Sequence, residues 1–550
     1  MPQAGAREDG GGSSSGGWLV PLLVLMLGTF MGALDTSSVN VALPTIEHSM
    51  GISPDDGKWI STAYTLSMGV AIPLSKWLSE RVGITRLYVY CLIAFTVGSA
   101  LCGLAWNLTS IVAFRILQAI PGGLMPVVGM TLIFMMVPKE KIGTAMGIFG
   151  VGVIVAPGIG PTLGGWLVEY STWPMLFYCK IPIGVLAAIA ARLILPQRKP
   201  TSWPRFDPWG FATIAVALFS LLLATSQGQD WGWTSYPTLI LLTVSLLCFA
   251  LFVVIENELD NPLLDLRVFR SWPFVNSMFI IFLITFAMFG TLFYIPQLLL
   301  GVMGLSPLDA GLAMMPTAAC MAVMMPIAGR LSDRFGPRLP ASTGMLIATF
   351  AFVHLAQITR DVPKENVIFW ASVFNLGLGL TMMPVTSGGV AALAPRLVNS
   401  GSALNQVGLR SASALAVAAL GALSTAQSAQ MMSDRGAMVN TGLGPRPAGA
   451  AAPATATATA AAGKGGATDL YPLYSVLKLE VTATAYANMF VLLAAMCALA
   501  GVLALFMPGR RPAASAPPPP PRATLARAGA TPGAAGGRFA GSRRARSRSV

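Results

Sequence analysis

Charge is what this chain lacks most. Only 10% of its 550 residues are Asp, Glu, Lys or Arg, against about 25% in an ordinary soluble domain, so it has too few solvated side chains to cover a water-facing surface of that size. The three or four soluble domains that length alone would suggest are excluded. Histidine is almost missing. His48 and His354 stand alone near expected outer ends, without metal-ligand partners, so no metal site and no catalytic histidine is expected. The six cysteines (Cys91, Cys102, Cys179, Cys248, Cys320, Cys497) sit singly in apolar stretches, without C-x-x-C spacing, and read as small packing residues. The sequence has no G-x-x-x-x-G-K-[ST] loop, so nothing supports ATP-driven pumping by this chain. No enzyme activity and no cofactor are expected.

What is present is apolar: 54% of residues are hydrophobic, and the mean hydropathy is +0.68. A helix needs about 20 mainly apolar residues to cross the hydrocarbon core. Fourteen runs meet that length: 17–43, 57–79, 86–107, 109–137, 141–168, 174–195, 208–226, 236–255, 273–299, 307–329, 339–358, 366–389, 401–428 and 485–507. The class is therefore an all-α integral membrane protein with fourteen transmembrane helices. The first run follows a Gly/Ser-rich stretch whose Arg7 is offset by Glu8 and Asp9, which does not suit a cleaved signal peptide.

Lys and Arg fix the expected orientation. With the N-terminus inside, the inner loops receive Arg81, Arg86, Lys139, Lys141, Arg198, Lys199, Arg205, Arg267, Arg270, Arg330, Arg334, Arg338 and Arg396. The short outer loops receive only Lys58, Arg360 and Lys364. This bias places both termini of a multi-pass membrane protein in the cytoplasm. The net charge of +13 does not imply a nucleic-acid partner, because nine arginines lie in a tail from Pro508 that holds no Asp or Glu. The expected division is a disordered tail at 1–16, a six-helix bundle at 17–195, a linker with two inserted helices at 196–272, a second six-helix bundle at 273–507 and a disordered basic tail at 508–550. The second bundle includes a long outer loop, 429–484, rich in Ala, Thr, Pro and Gly, which is expected to be disordered.

The two halves share a repeat. Residues 73–83 read PLSKWLSERVG and residues 326–336 read PIAGRLSDRFG, with five of eleven positions identical. Both copies end an outside-to-inside span, the second and the tenth, so the halves share one architecture, as in many secondary transporters whose site lies between them. Arg81 with Arg86, and Arg334 with Arg338, are suited to hold carboxylates or helix C-termini as an inner-face latch, with Glu80 or Asp333 as the acidic member. Gly83 and Gly336 suit turns that need a residue without Cβ.

LDTSSVNVALP (34–44), the two loop motifs, RILQAIPGG (115–123), GVIVAPGIGPTLGGW (152–166) and GLSPLDAGLAMMP (304–316) occur in that order. Together they resemble the major facilitator superfamily, within it the fourteen-span drug:proton antiporter branch of the QacA/EmrB type, from about Trp18 to Met507. The resemblance implies two six-helix bundles plus two inserted helices, and export driven by the proton gradient. It also implies that Gly152, Pro157, Gly160, Pro161, Gly164 and Gly165 form the antiporter motif of span five. The chain departs from the family pattern at Lys76, Glu80, Ala119 and Lys180, and in span thirteen, where Asn405 and Arg410 are five apart.

Asp35 is the one carboxylate deep in the first half, and an intramembrane acid is costly unless it meets a cation or a cavity. Counted from the outer ends at 1.5 Å per residue, Asp35 and Arg115 lie roughly 12 and 9 Å deep, the same layer. They are the candidate proton-coupling pair; the alternative is a static charge pair that only fixes helix packing. Lys180 reaches the same depth and either pairs with Asp35 or snorkels outward. Met125, Gln118, Tyr294 and Gln297 are the candidates for the substrate wall. The expected activity is proton-coupled export of amphipathic or cationic drugs and other organic compounds by alternating access. The alternatives are a dedicated exporter of one natural product, such as an antibiotic or siderophore, and, from another class, a channel or receptor. A monomer in the lipid bilayer with a small-molecule substrate is expected, and a periplasmic adaptor is left open.

Overall fold

Each of the fourteen apolar runs is helical in the computed structural model, which describes residues 17–197, 205–259, 262–358, 362–442 and 470–509. Helix is the expected outcome for an apolar run in hydrocarbon, where every backbone polar group must be satisfied within the segment. In chain order the helices are α1 (Leu19–Met50), α2 (Pro54–Ala71), α3 (Leu74–Val82), α4 (Ile84–Gly103), α5 (Leu108–Met136), α6 (Ile142–Tyr170), α7 (Met175–Tyr178) and α8 (Lys180–Ile194). They continue as α9 (Pro208–Trp231), α10 (Tyr236–Glu258), α11 (Trp272–Gln297), α12 (Pro307–Phe335), α13 (Arg338–Leu355), α14 (Lys364–Ala391), α15 (Val398–Gly442) and α16 (Leu470–Leu505). The second expected span is thus two helices broken at Ile72–Pro73, and the sixth is α7 and α8 with Cys179 between them.

Twelve helical segments among the described residues are long and apolar enough to cross a membrane. The other two expected spans are α2 with α3, and α13; α2 packs on α5, and α13 packs on α14 and α16. Polar side chains close several helix starts. The Ser53 hydroxyl accepts from Asp56 N at 3.2 Å, Asn107 and Ser110 form a reciprocal capping box, and Ser306 accepts from Asp309 N at 3.1 Å, each satisfying amides that the first turn leaves open.

The outer loop expected at 429–484 is shorter than its composition suggested. Helix α15 runs on to Gly442 and α16 begins at Leu470. Its centre, 443–469, lies outside the described residues, as do the N-terminal tail, Arg198, Lys199, Arg360 and the C-terminal tail from residue 510.

Helices α1, α2, α4, α5, α6 and α8 pack among themselves, and α11 to α16 do the same. The two groups meet where α6 lies along α12 and α14, and where α15 passes α5 and α3. Glycine allows the α6–α12 approach: a Cβ on Gly147 would strike the Met325 backbone, and one on Gly329 the Gly143 backbone. The inserted pair is a helical hairpin in which α9 packs on α2 from one group and on α15 from the other.

Candidate functional site

Asp35 lies mid-way along α1 and is wholly buried. Three side chains converge on its carboxylate. Arg115 from α5 forms an ion pair with Oδ2, Lys180 at the start of α8 places Nζ 2.6 Å from Oδ1, and Gln118 donates Nε2 to Oδ1 at 3.2 Å. Arg115 is held in turn: Nη1 donates to Gln118 Oε1 at 2.9 Å, and Nε to the Ile60 carbonyl at 3.4 Å. Its guanidinium lies 4.0 Å from the centre of the Tyr64 ring, and Lys180 Nζ is 5.1 Å from that of Phe177. All three charged groups are 1% exposed or less.

The structure brings Asp35 and Arg115 together at the level the depth count expected, and Lys180 pairs with Asp35 rather than snorkelling outward. The layer joins α1, α5 and α8 through one anion. It holds two cations against one carboxylate, a net excess of one positive charge in an apolar surround, where deleting one member of a buried pair costs about 3–5 kcal/mol.

This is a helical bundle around an intramembrane charge layer, and comparison with known proteins places it. Residues 25–418 match the family model described as Major Facilitator Superfamily. The chain belongs to that superfamily. It is 30% identical over 429 residues to the tetracenomycin C resistance and export protein of Streptomyces glaucescens, covering 78% of this chain and 80% of the relative. It is also 30% identical over 390 residues to the multidrug export protein EmrB of Escherichia coli (strain K12), covering 70% and 76%. The solved structure of the human organic anion transporter MFSD10 (TETRAN) matches with a TM-score of 0.56 at 15% identity, over 88% of this chain and 99% of that one, a likeness of fold alone. The protein is a multi-pass facilitator-fold transporter related to drug and antibiotic exporters.

The end of the bundle expected to face inward carries the repeated loop motif, and its two copies behave differently. Asp333 accepts from the backbone amides of Gly143 and Thr144 at 2.6 and 2.7 Å, and from the Thr144 hydroxyl at 2.5 Å. It thereby caps the first turn of α6 across the seam between the halves, where the helix dipole favours an anion. Glu80, at the matching place, makes no such cap. It is half-buried, and burial pushes its carboxyl above the usual range while Lys76 pulls it back. The neighbouring Ser79 makes the cross-seam contact instead, accepting from Asn399 Nδ2 at 2.5 Å near the start of α15. Gly83 and Gly336 have φ of +92° and +84°, so these turns do need glycine. Arg81 lies over Trp77, and Arg334 over Phe335.

In α6 the motif glycines are contact surfaces. A Cβ at Gly152 would meet Met26, at Gly160 the Ser37 side chain, and at Gly164 the Ser38 backbone, so this face is fitted against α1. Gly165 faces open space. The helix continues through Pro157 and Pro161, with Pro161 exposed.

The wall candidates are dispersed. Gln118 belongs to the charge layer. Met125 is in the main core. Tyr294 is buried with its hydroxyl donating to the Leu420 carbonyl at 2.6 Å, and Gln297 accepts from the Tyr486 hydroxyl at 2.7 Å. The four do not form one surface. Two residues that were not among the sequence candidates lie closer to the layer. Tyr64 covers Arg115, and Arg410 of α15 acts electrostatically on the Tyr64 hydroxyl. A lone arginine in the apolar run 401–428 was the available signal. A cationic substrate finds no unpaired carboxylate at this depth: every other described carboxylate lies at the end of an apolar segment or outside one.

Proposed function

We propose that this protein is a proton-coupled antiporter that exports amphipathic organic compounds, drugs among them, across the bacterial cytoplasmic membrane. It would cross the membrane fourteen times with both termini inside, and its halves, 17–195 and 273–507, would rock about the central seam. The observation that carries the reading is the triad of Asp35, Arg115 and Lys180, fully buried and shared by three helices. A proton arriving on Asp35 removes the anion that holds two cations in place, so proton loading and separation of α1, α5 and α8 favour each other. Release of the proton restores the pairs and draws the helices together. Asp333 capping α6 ties α12 to α6 across the seam, and this contact would close the inner end in the state from which a substrate leaves outward.

The test is gradient-driven uptake of dye into inverted vesicles by the Asp35→Asn variant. Loss of uptake with the protein still in the membrane is expected; retained proton-coupled uptake would remove Asp35 from the coupling role. The tetracenomycin-exporting relative supports a second reading, export of one dedicated natural product. A broad resistance profile in a sensitive host separates the first from the second.

A further inference from the structure

The charges near the seam do not balance. On the first-half side one carboxylate faces two cations. On the second-half side Arg410 of α15 faces none: no acceptor among the described residues lies within hydrogen-bonding or ion-pairing distance of its guanidinium, although the group is only partly exposed. Arg410 is twelve residues into α15, roughly 18 Å from the inner end at 1.5 Å per residue, and so near mid-membrane. Helix α15 packs on α5, the helix of Arg115, across the seam, and Arg410 lies within electrostatic reach of Tyr64 from α2. The buried Tyr64 hydroxyl has no hydrogen-bond partner, and Asn405 Nδ2, in a residue 3% exposed, has no acceptor.

A guanidinium, a phenol and a carboxamide N–H are thus left as donors with nothing to donate to. Buried polar groups are normally satisfied, and a cation at this depth in lipid is costly unless an anion or water meets it. Among the described residues the one carboxylate at this level is Asp35, and it is already held by Arg115 and Lys180. The snorkelling that relieves a lysine or arginine near a helix end is out of reach from the middle of the span.

We propose that Arg410 is a substrate-binding residue and that the exported compound is an amphipathic organic acid, whose carboxylate or ionised phenol takes the guanidinium while the Tyr64 hydroxyl donates beside it. This deepens the exporter reading and rests on it for the seam being the transport path. It accounts for an arginine in span thirteen that stands five residues from Asn405, and it gives Tyr64 two tasks: one face covers Arg115, and the hydroxyl meets the substrate. Binding an anion here also offsets the surplus positive charge of the layer, so an acidic compound is accepted where a cationic one is repelled.

The test uses two dyes on one xanthene scaffold, anionic fluorescein and cationic rhodamine 123, and full-length protein in lipid nanodiscs, with equilibrium binding read by fluorescence anisotropy. The wild type should bind fluorescein more tightly than rhodamine 123. Arg410→Gln should weaken fluorescein binding by about tenfold or more, Arg410→Lys should retain more of it, and Tyr64→Phe should weaken it by about threefold. A wild type that binds neither dye or favours the cation overturns the proposal, as does Arg410→Gln protein that keeps its fluorescein affinity. Because binding is read without a gradient, the coupling reading is judged separately. Fluorescein binding that depends on Arg410, without gradient-driven uptake in inverted vesicles, would sink the antiport reading and leave this one standing.

Discussion

The two halves of this transporter place their unpaired charges in opposite positions. The first half pairs its charges at mid-depth, where Asp35 holds Arg115 and Lys180, and leaves its inner-face acid, Glu80, without a cap to make. The second half does the reverse: Asp333 accepts from three donors at the end carrying the loop motif, while Arg410 at mid-depth meets no acceptor among the described residues. Sequence similarity between the loop copies therefore does not carry over into equal work. Glu80 is longer by one methylene, Lys76 stands where the second copy has Gly329, and beside the first copy the cross-seam contact is made by Ser79 and Asn399. Near-symmetric halves become a machine only when some of their equivalent contacts differ, since identical seams would give neither side of the membrane a preference.

This contrast can be broken at its strongest point first. Asp35→Asn leaves two cations in an apolar layer and should lower stability by about 3–5 kcal/mol, together with the loss of coupled transport. A thermal unfolding midpoint in detergent, run beside the vesicle assay, checks it. Asp333→Asn removes charge-assisted bonds to the start of α6 and should shift the balance away from inner closure by about 1.5–3 kcal/mol. Spin-label distances between the inner ends of α6 and α12 would widen, and unchanged distances would show that the latch lies elsewhere. Gly147→Ala presses a methyl group on the Met325 backbone and should oppose the same closure by roughly 1–3 kcal/mol, whereas Gly165→Ala, facing open space, should leave the distances as they are. Glu80→Gln should matter least, within about 0.5 kcal/mol. Burial already raises that carboxyl, so any pH effect has the sign of a group that favours the folded state when protonated and loses that contribution as pH rises through its raised value. An effect of Glu80→Gln equal to that of Asp333→Asn would erase the distinction between the halves.

The sequence revealed lengths and depths well and facings poorly. Asp35, Arg115 and Lys180 were brought to one level by counting residues along regular helices, because rise per residue is constant. Gln118 lies one turn from Arg115 and was within reach of the same count, yet polarity alone suggested a substrate contact. Met125 and Tyr294 show the harder problem. A helix that meets lipid on one side and protein on the other is apolar all round, so the periodic pattern that marks a buried face in a soluble protein is faint. Which residues look into the seam depends on how each helix is rotated in the bundle. The approach of Arg410 to Tyr64 depends on the rotations of α15 and α2 together, and no spacing within either helix records it.

The position of α9 has a consequence for how oily molecules reach the interior. A pair of six-helix bundles leaves a vertical cleft open to lipid on each flank, and compounds dissolved in the bilayer could slip in sideways through either. Here α9 rests on α2 and α15 at once, a fence post across one of these side doors. Traffic arriving from within the membrane on that flank meets a wall.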